Sequence, residues 1–298
     1  MITIGFIGLG NMGLPMAANL TKAGHLVRAF DVAPGSDAKA KDAGATLAPS
    51  ATVAAEGADA IITMLPAGEH ARDVYLGKDG VLEVARADAI LIDCSTIDVK
   101  TARELHGAAE AAGRLMADAP VSGGVAGAQS ATLTFMVGGS ERAYAAAEPI
   151  LATMGKAVIH AGGPGNGQAA KICNNLILGS SMIAVCEAFL LAERLGLPAD
   201  KLFAISSKSS GQCWSLTSYC PVPGPLPASP ANRDYRPGFT AAMMLKDLRL
   251  AMGSAAEAGA VIRLTSAATA LYEAFVNAGE GGTDFSGIIR MLRMSTSP

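Results

Sequence analysis

Gly8-Leu9-Gly10-Asn11-Met12-Gly13 sits between a short apolar run, Ile2 to Gly8, and a helical pattern, Leu14 to Ala23. A second apolar run, His25 to Phe30, ends at Asp31, 18 positions after Gly13. Strand, glycine turn, helix, strand and closing acid make a dinucleotide-binding βαβ unit, a much more specific signal than the glycines alone. Gly8 permits the tight turn, Gly10 lets the backbone approach a pyrophosphate, and Gly13 lets the helix pack on its strand. The helix start offers N–H groups and a partial positive charge to the phosphates, so Leu9, Asn11 and Met12 join the expected cofactor segment. Asp31 can accept hydrogen bonds from ribose hydroxyls and would repel a 2′-phosphate. Val32 and Ala33 follow it, with no arginine to receive such a phosphate. The expected cofactor is therefore NAD.

A second stretch, Gly162 to Asn175, has a glycine-rich lead-in and then Gln168-Ala169-Ala170-Lys171-Ile172-Cys173-Asn174-Asn175. The helical pattern continues to Glu193-Arg194. Residues four apart share a helix face, so Lys171 and Asn175 project the same way. Apolar neighbours disfavour a protonated amine, which suits Lys171 to proton transfer. The plainer alternative is a core-helix lysine that reaches out to water.

Ser122-Gly123-Gly124 follows an apolar run from Leu115 to Val121 and combines a hydroxyl with two unhindered backbone N–H groups. It reads either as a nest for a substrate carboxylate or as a plain turn. In open α/β sheets, ligands bind outside the carboxyl ends of the strands. That places Leu65 and Pro66 after the run Ala58 to Leu65, and Thr96 after the run Ala89 to Asp93, on the cofactor's flank, with His70 one turn on. Thr96 also reads as a helix N-cap, a role open equally to Asp98. Lys246 reads as a second cation of the pocket, or as a solvent lysine paired with Asp247. Trp214 reads as core or pocket wall.

The elements that must hold these groups change character along the chain. Strand and helix patterns alternate to about His160, with further strands at Thr132–Val137 and Lys156–His160. After that only helical patterns remain, at about 199–207, 243–258, 264–278 and 284–292. Pro221 to Pro230 holds five prolines in ten residues, which forbids helix and gives a stiff surface loop. The fold class expected is α/β: a Rossmann-type doubly wound, mainly parallel sheet over residues 1–163, then an all-α domain over 164–298 led by a long helix.

Composition narrows the classes. Of 298 residues, 50% are hydrophobic and 16% charged, which supports a large core and argues against disorder. A net charge of −3 gives no basic field for nucleic acid. The longest apolar run, Ile172 to Cys186, is interrupted by Asn174, Asn175, Ser180 and Ser181 and falls short of a membrane span. The chain starts on a strand without a basic leader, so no signal peptide is expected. Five cysteines without a Cys-x-x-Cys pair indicate reduced thiols and a cytoplasmic setting. The four histidines lack metal-ligand spacing.

Four segments together resemble the β-hydroxyacid dehydrogenase family: Gly8 to Ala17, Asp118 to Gly124, Gly167 to Asn175, and Lys246-Asp247-Leu248. The match spans nearly the whole chain, in the family's order. Met64-Leu65-Pro66-Ala67-Gly68, the Trp214 region and Asp284-Phe285-Ser286 strengthen it. The resemblance implies NAD-linked oxidation of a 3-hydroxy acid, with 3-hydroxyisobutyrate going to methylmalonate semialdehyde in valine breakdown. Sister activities on tartronate semialdehyde, L-serine or succinic semialdehyde stay open. It further implies Lys171 as the catalytic lysine, Ser122, Gly123 and Gly124 as carboxylate ligands, and Asn175 as the group orienting substrate. Lys246 then stands at the junction of cofactor and substrate, Trp214 beside the substrate, and the helical domain forms a homodimer or homotetramer.

Overall fold

A computed structural model describes residues 1–294. They divide into two compact units, the first ending at Lys171 and the second starting at Ile172. The division falls inside one long helix, Asn166–Arg194.

The first unit is a nine-stranded sheet. Its strands are β1 Thr3–Ile7, β2 Leu26–Phe30, β3 Thr46–Leu47, β4 Ala60–Thr63, β5 Ile90–Asp93, β6 Leu115–Asp118, β7 Val121–Ser122, β8 Leu133–Gly138 and β9 Gly155–Gly162. The order is β3-β2-β1-β4-β5-β6-β8-β7, with β9 on β8. Pairing is parallel from β3 across to β6 and between β8 and β9. Strand β8 runs antiparallel to β6 and β7. Strand β1 lies between β2 and β4, so sheet growth reverses there, and the carboxyl ends of β1 and β4 flank the switch point where α/β folds bind ligands.

The central strands β1, β4, β5 and β6 are short, rich in Ile, Leu and Ala, and buried on both faces, as a helix-covered parallel sheet requires. Alternate side chains enter two separate cores. Ile4, Phe6, Ile62 and Ile92 pack on one face. Ile7, Ile61, Leu91 and Met116 pack on the other. Each such side chain contributes roughly 1.5–3 kcal/mol on full burial. The expected doubly wound, mainly parallel architecture is what forms.

The second unit is helical: the rest of the long helix, then Ala199–Ser206, Trp214–Thr217, Ala241–Ala258, Arg263–Phe275 and Ile288–Met294. Its core gathers Met182, Cys186, Phe189, Met244, Leu248, Tyr272 and Phe285. The long helix has 29 residues and ends at Arg194, where the sequence pattern placed its end; by length and composition alone it could cross a membrane. Of its most apolar window 56% is buried inside the protein, so it also serves as a core helix. The proline-rich segment is only partly a surface loop: Pro221, Val222, Ser229 and Pro230 are buried while Pro223 and Pro227 are exposed.

Candidate active site

The glycine loop after β1 is shaped by contacts a side chain would break. Gly8 has φ +101°, and a Cβ there would lie 2.3 Å from the Met64 carbonyl oxygen. A Cβ on Gly13 would lie 1.9 Å from the Gly8 oxygen. Gly10 is different: its Cβ would meet nothing within 4 Å. Gly8 and Gly13 are thus fixed by packing, while Gly10 faces open space, as close approach of a pyrophosphate needs. The following helix, Gly13–Lys22, has no side-chain cap and no acidic residue in its first turn, so its positive end is not neutralised from within. At the end of β2, the Asp31 carboxylate accepts the N–H groups of Leu9 (2.5 Å) and Ala33 (2.7 Å). This orients it beside the loop, half-buried, with lone pairs remaining for ribose hydroxyls. The segment therefore fits the adenosine and pyrophosphate of NAD.

The carboxyl ends of β4 and β5 are tied by a buried network. Asp93 Oδ1 accepts from the hydroxyls of Thr63 (2.7 Å) and Ser95 (2.6 Å). Ser95 Oγ in turn accepts the N–H of Leu65 at 2.8 Å. Burial pushes the Asp93 carboxyl above the usual carboxylate range, against the opposing pull of the Ser95 and Thr63 hydroxyls. Its Oδ2 is buried with no hydrogen-bond partner. Leu65 and Thr96 are half-buried, Pro66 is exposed, and His70 is exposed on the Gly68–Leu76 helix. Thr96 does not cap the Val99–Ala111 helix; Asp98 does, accepting the Thr101 N–H at 2.7 Å.

Beyond β6, the two-residue strand β7 pairs Ser122 with Thr134 and holds the next loop in register. Gly123 and Gly124 follow with φ of +134° and +62°, conformations that favour glycine. The helix carrying Lys171 starts against β6. It has no cap of its own, since Gly165 precedes Asn166. Asp118 supplies one from 47 and 50 residues away, accepting the N–H groups of Gly165 and Gln168, each at 2.9 Å. His106 Nε2 contacts the same carboxylate at 2.8 Å. A Cβ on Gly167 would lie 2.4 Å from the Met136 oxygen, so the helix can start this close to the sheet only with glycine there. Lys171 is buried, 8% exposed, one turn further on.

In the second unit, the Asn175 amide donates to Asp247 Oδ2 at 2.5 Å, and Asn174 donates to Asn175 Oδ1 at 3.0 Å. Asn175 and Asp247 are both buried. Lys246 Nζ lies 3.9 Å from Asp247 Oδ1 and is partly exposed. Trp214 is not a core residue: it is 51% exposed and stacks on Tyr219 at 4.9 Å. Tyr219 donates to Asp284 at 2.8 Å, and Asp284 also accepts the Gly238 N–H at 3.0 Å.

Within the first unit, the glycine loop, Asp31, Leu65, Pro66, Thr96 and Ser122 to Gly124 all follow the carboxyl ends of strands, while His70 lies out on a helix. Asn175, Lys246 and Trp214 belong to the second unit. Sequence reasoning did not single out Asp93, Ser95, Gln168, or the cap and anchor roles of Asp118 and Asp247. No local signal pointed to the Asp118 cap: Asn166 stands at the helix start and reads as a cap of its own, whereas its side chain donates to the Ala161 carbonyl at 3.1 Å.

Residues 3–163 match the family model described as the NAD-binding domain of 6-phosphogluconate dehydrogenase. Residues 165–292 match the model described as NAD-binding of NADP-dependent 3-hydroxyisobutyrate dehydrogenase. That second description mentions NADP; at the end of β2 in the first unit this chain carries Asp31, with no arginine directly after it. The probable 3-hydroxyisobutyrate dehydrogenase of Mycobacterium tuberculosis is 51% identical over 98% of both chains. The 3-hydroxyisobutyrate dehydrogenase of Pseudomonas aeruginosa is 46% identical over 98% of this chain and 99% of its own. A solved structure of the Mycobacterium tuberculosis 3-hydroxyisobutyrate dehydrogenase with L-serine matches with a TM-score of 0.94 over 98% of this chain and 99% of that one. A domain built to hold NAD and near full-length identity of this degree lead to one conclusion: the chain belongs to the 3-hydroxyisobutyrate dehydrogenase family of NAD-dependent oxidoreductases.

Proposed function

We propose that the chain oxidises 3-hydroxyisobutyrate to methylmalonate semialdehyde, with Lys171 taking the hydroxyl proton. Bound NAD supplies the hydride acceptor. The observation that carries the reading is a buried lysine, Lys171, one turn beyond a helix start that Asp118 pins to the sheet. Ser122, Gly123 and Gly124 hold the substrate carboxylate through a hydroxyl and backbone N–H groups. Asn175, anchored by Asp247, orients the hydroxyl. Thr96 and Pro66 flank the cofactor. Asp31 sets the preference for NAD over NADP.

We infer a cytoplasmic enzyme without membrane attachment, assembled as a homodimer or homotetramer through its helical unit. Ile177 and Leu191 on the long helix and Leu195 just past its end are 65%, 60% and 75% exposed, apolar surface that a second copy would cover.

L-serine is the second reading, because a relative 51% identical was solved with it and it carries the same carboxylate and primary hydroxyl. The test is NADH formation by purified protein on 3-hydroxyisobutyrate, L-serine, glycerate and 4-hydroxybutyrate, each with NAD and NADP. Highest kcat/KM on 3-hydroxyisobutyrate with NAD supports the proposal. Preference for L-serine moves the substrate, and no turnover on any of the four overturns both readings.

A further inference from the structure

Gln168 is a fully buried polar side chain that the reaction as described leaves without a role. Its Oε1 accepts the Ile97 N–H at 3.1 Å and its Nε2 donates to the Ser95 carbonyl at 2.7 Å. Only this orientation of the carboxamide meets both demands, since an N–H needs an acceptor and a carbonyl needs a donor. The side chain thus grips the backbone on both sides of Thr96. Its own N–H is held by Asp118. Ser95, the residue gripped, receives the Leu65 N–H through its hydroxyl and is anchored on Asp93. A continuous chain of hydrogen bonds therefore joins the loops after β4 and β5 to the first turn of the long helix. Lys171 is three residues further on, a neighbour on the helix surface.

We propose that Gln168 is a positioning residue that couples the cofactor-flanking loop around Thr96 to the turn carrying Lys171, so that NAD binding orders the lysine. The inference rests on the dehydrogenase reading only in giving Lys171 and Thr96 their roles. The links themselves are hydrogen bonds within the first unit. Burial makes them strong, because a buried donor or acceptor left without its partner bears the full desolvation cost.

The test is NAD affinity by calorimetry together with amide hydrogen exchange of residues 95–97 and 165–171, on wild type, Gln168→Ala and Gln168→Glu. In wild type, NAD slows exchange in both segments. In Gln168→Ala, NAD should bind about tenfold more weakly or worse, the effect of losing one to two net hydrogen bonds, and should no longer slow exchange in 165–171. Gln168→Glu separates a clamp from mere space-filling. A protonated carboxyl can accept from Ile97 and donate to Ser95, whereas an ionised one opposes the Ser95 carbonyl. NAD affinity and its protection of 165–171 should thus resemble wild type at about pH 5 and Gln168→Ala at about pH 8, because burial holds the carboxyl protonated above its ordinary range. The titratable groups around it are Asp93, Asp118 with its partner His106, and Lys171. Wild type and Gln168→Ala at both pH values account for their contribution. Wild-type NAD affinity and intact transfer of protection in Gln168→Ala would overturn the proposal, as would a Gln168→Glu protein without the pH dependence. Neither readout needs a substrate. A protein that binds NAD and passes these tests but oxidises no 3-hydroxy acid rejects the proposed function and leaves the clamp standing.

Discussion

Replacing Asp31 separates two jobs that its carboxylate performs at once. It holds the N–H groups of Leu9 at 2.5 Å and Ala33 at 2.7 Å, and under the proposed function it places a negative charge where an added 2′-phosphate would come. Asp31→Asn keeps the shape and one acceptor oxygen, but turns an NH2 group toward one of the two N–H donors. Losing one hydrogen bond to a charged acceptor costs about 1.5–3 kcal/mol, so NAD affinity should fall about tenfold to a hundredfold. Removing the charge acts on NADP with the opposite sign. Unit charges 4 Å apart at an effective dielectric constant of 20 repel by about 4 kcal/mol, and solvent at this half-buried site lowers that figure. NADP should therefore gain relative to NAD by about a hundredfold in Asp31→Asn. Asp31→Ala loses both N–H contacts, so it should bind NAD still more weakly while keeping the relaxed preference. The assay is fluorescence titration with NADH and NADPH, which needs no substrate. An unchanged NADH/NADPH affinity ratio in both variants would refute the charge argument. A changed ratio with intact NADH affinity would refute the claim that Asp31 organises the loop.

Three further outcomes follow from the same geometry. Asp118→Asn leaves one of the Gly165 and Gln168 N–H groups facing an amide donor in a fully buried site. It should destabilise the first unit by about 3 kcal/mol or more, and denaturant unfolding within about 0.5 kcal/mol of wild type would refute the capping role. For Asp93 the sign runs against rising pH. Its folded carboxyl binds a proton more tightly than the unfolded one, so the unfolded chain releases its proton first and stability falls as pH climbs from about 4 through the raised value. The stability difference between wild type and Asp93→Asn should therefore shrink or reverse across that window, and a flat difference contradicts it. Ile177→Asp combined with Leu191→Asp should yield a monomer with NAD binding retained; light scattering that still reads a dimer or tetramer removes that face from the assembly.

Much of the fold could be read because local signals agreed. Glycine turn, apolar runs and Asp31 each specify the βαβ unit, and the central parallel strands β1, β4 and β5 are short, mostly apolar stretches. The two-residue strands β3 and β7 gave no such signal. Their pairing comes from neighbours, β2 and β8, rather than from their own residues. Lys171 and Asn175 stood out because a helix spaces them by one turn. Asp118 and Gln168 did not, since their partners lie 47 to 73 residues away in sequence, and only the folded sheet brings them together. Trp214 was readable as a large aromatic, but its exposure and its stacking on Tyr219 depend on where Asp284 holds that tyrosine.

The central claim is that Lys171 moves the proton during oxidation of 3-hydroxyisobutyrate. The most direct measurement is kcat for Lys171→Ala against wild type on that acid, with NAD affinity measured alongside. A positioned general base contributes roughly 10²–10⁴ in rate. Lys171→Ala should lose at least about a hundredfold in kcat with NAD affinity unchanged. Near-normal turnover in the variant would contradict it.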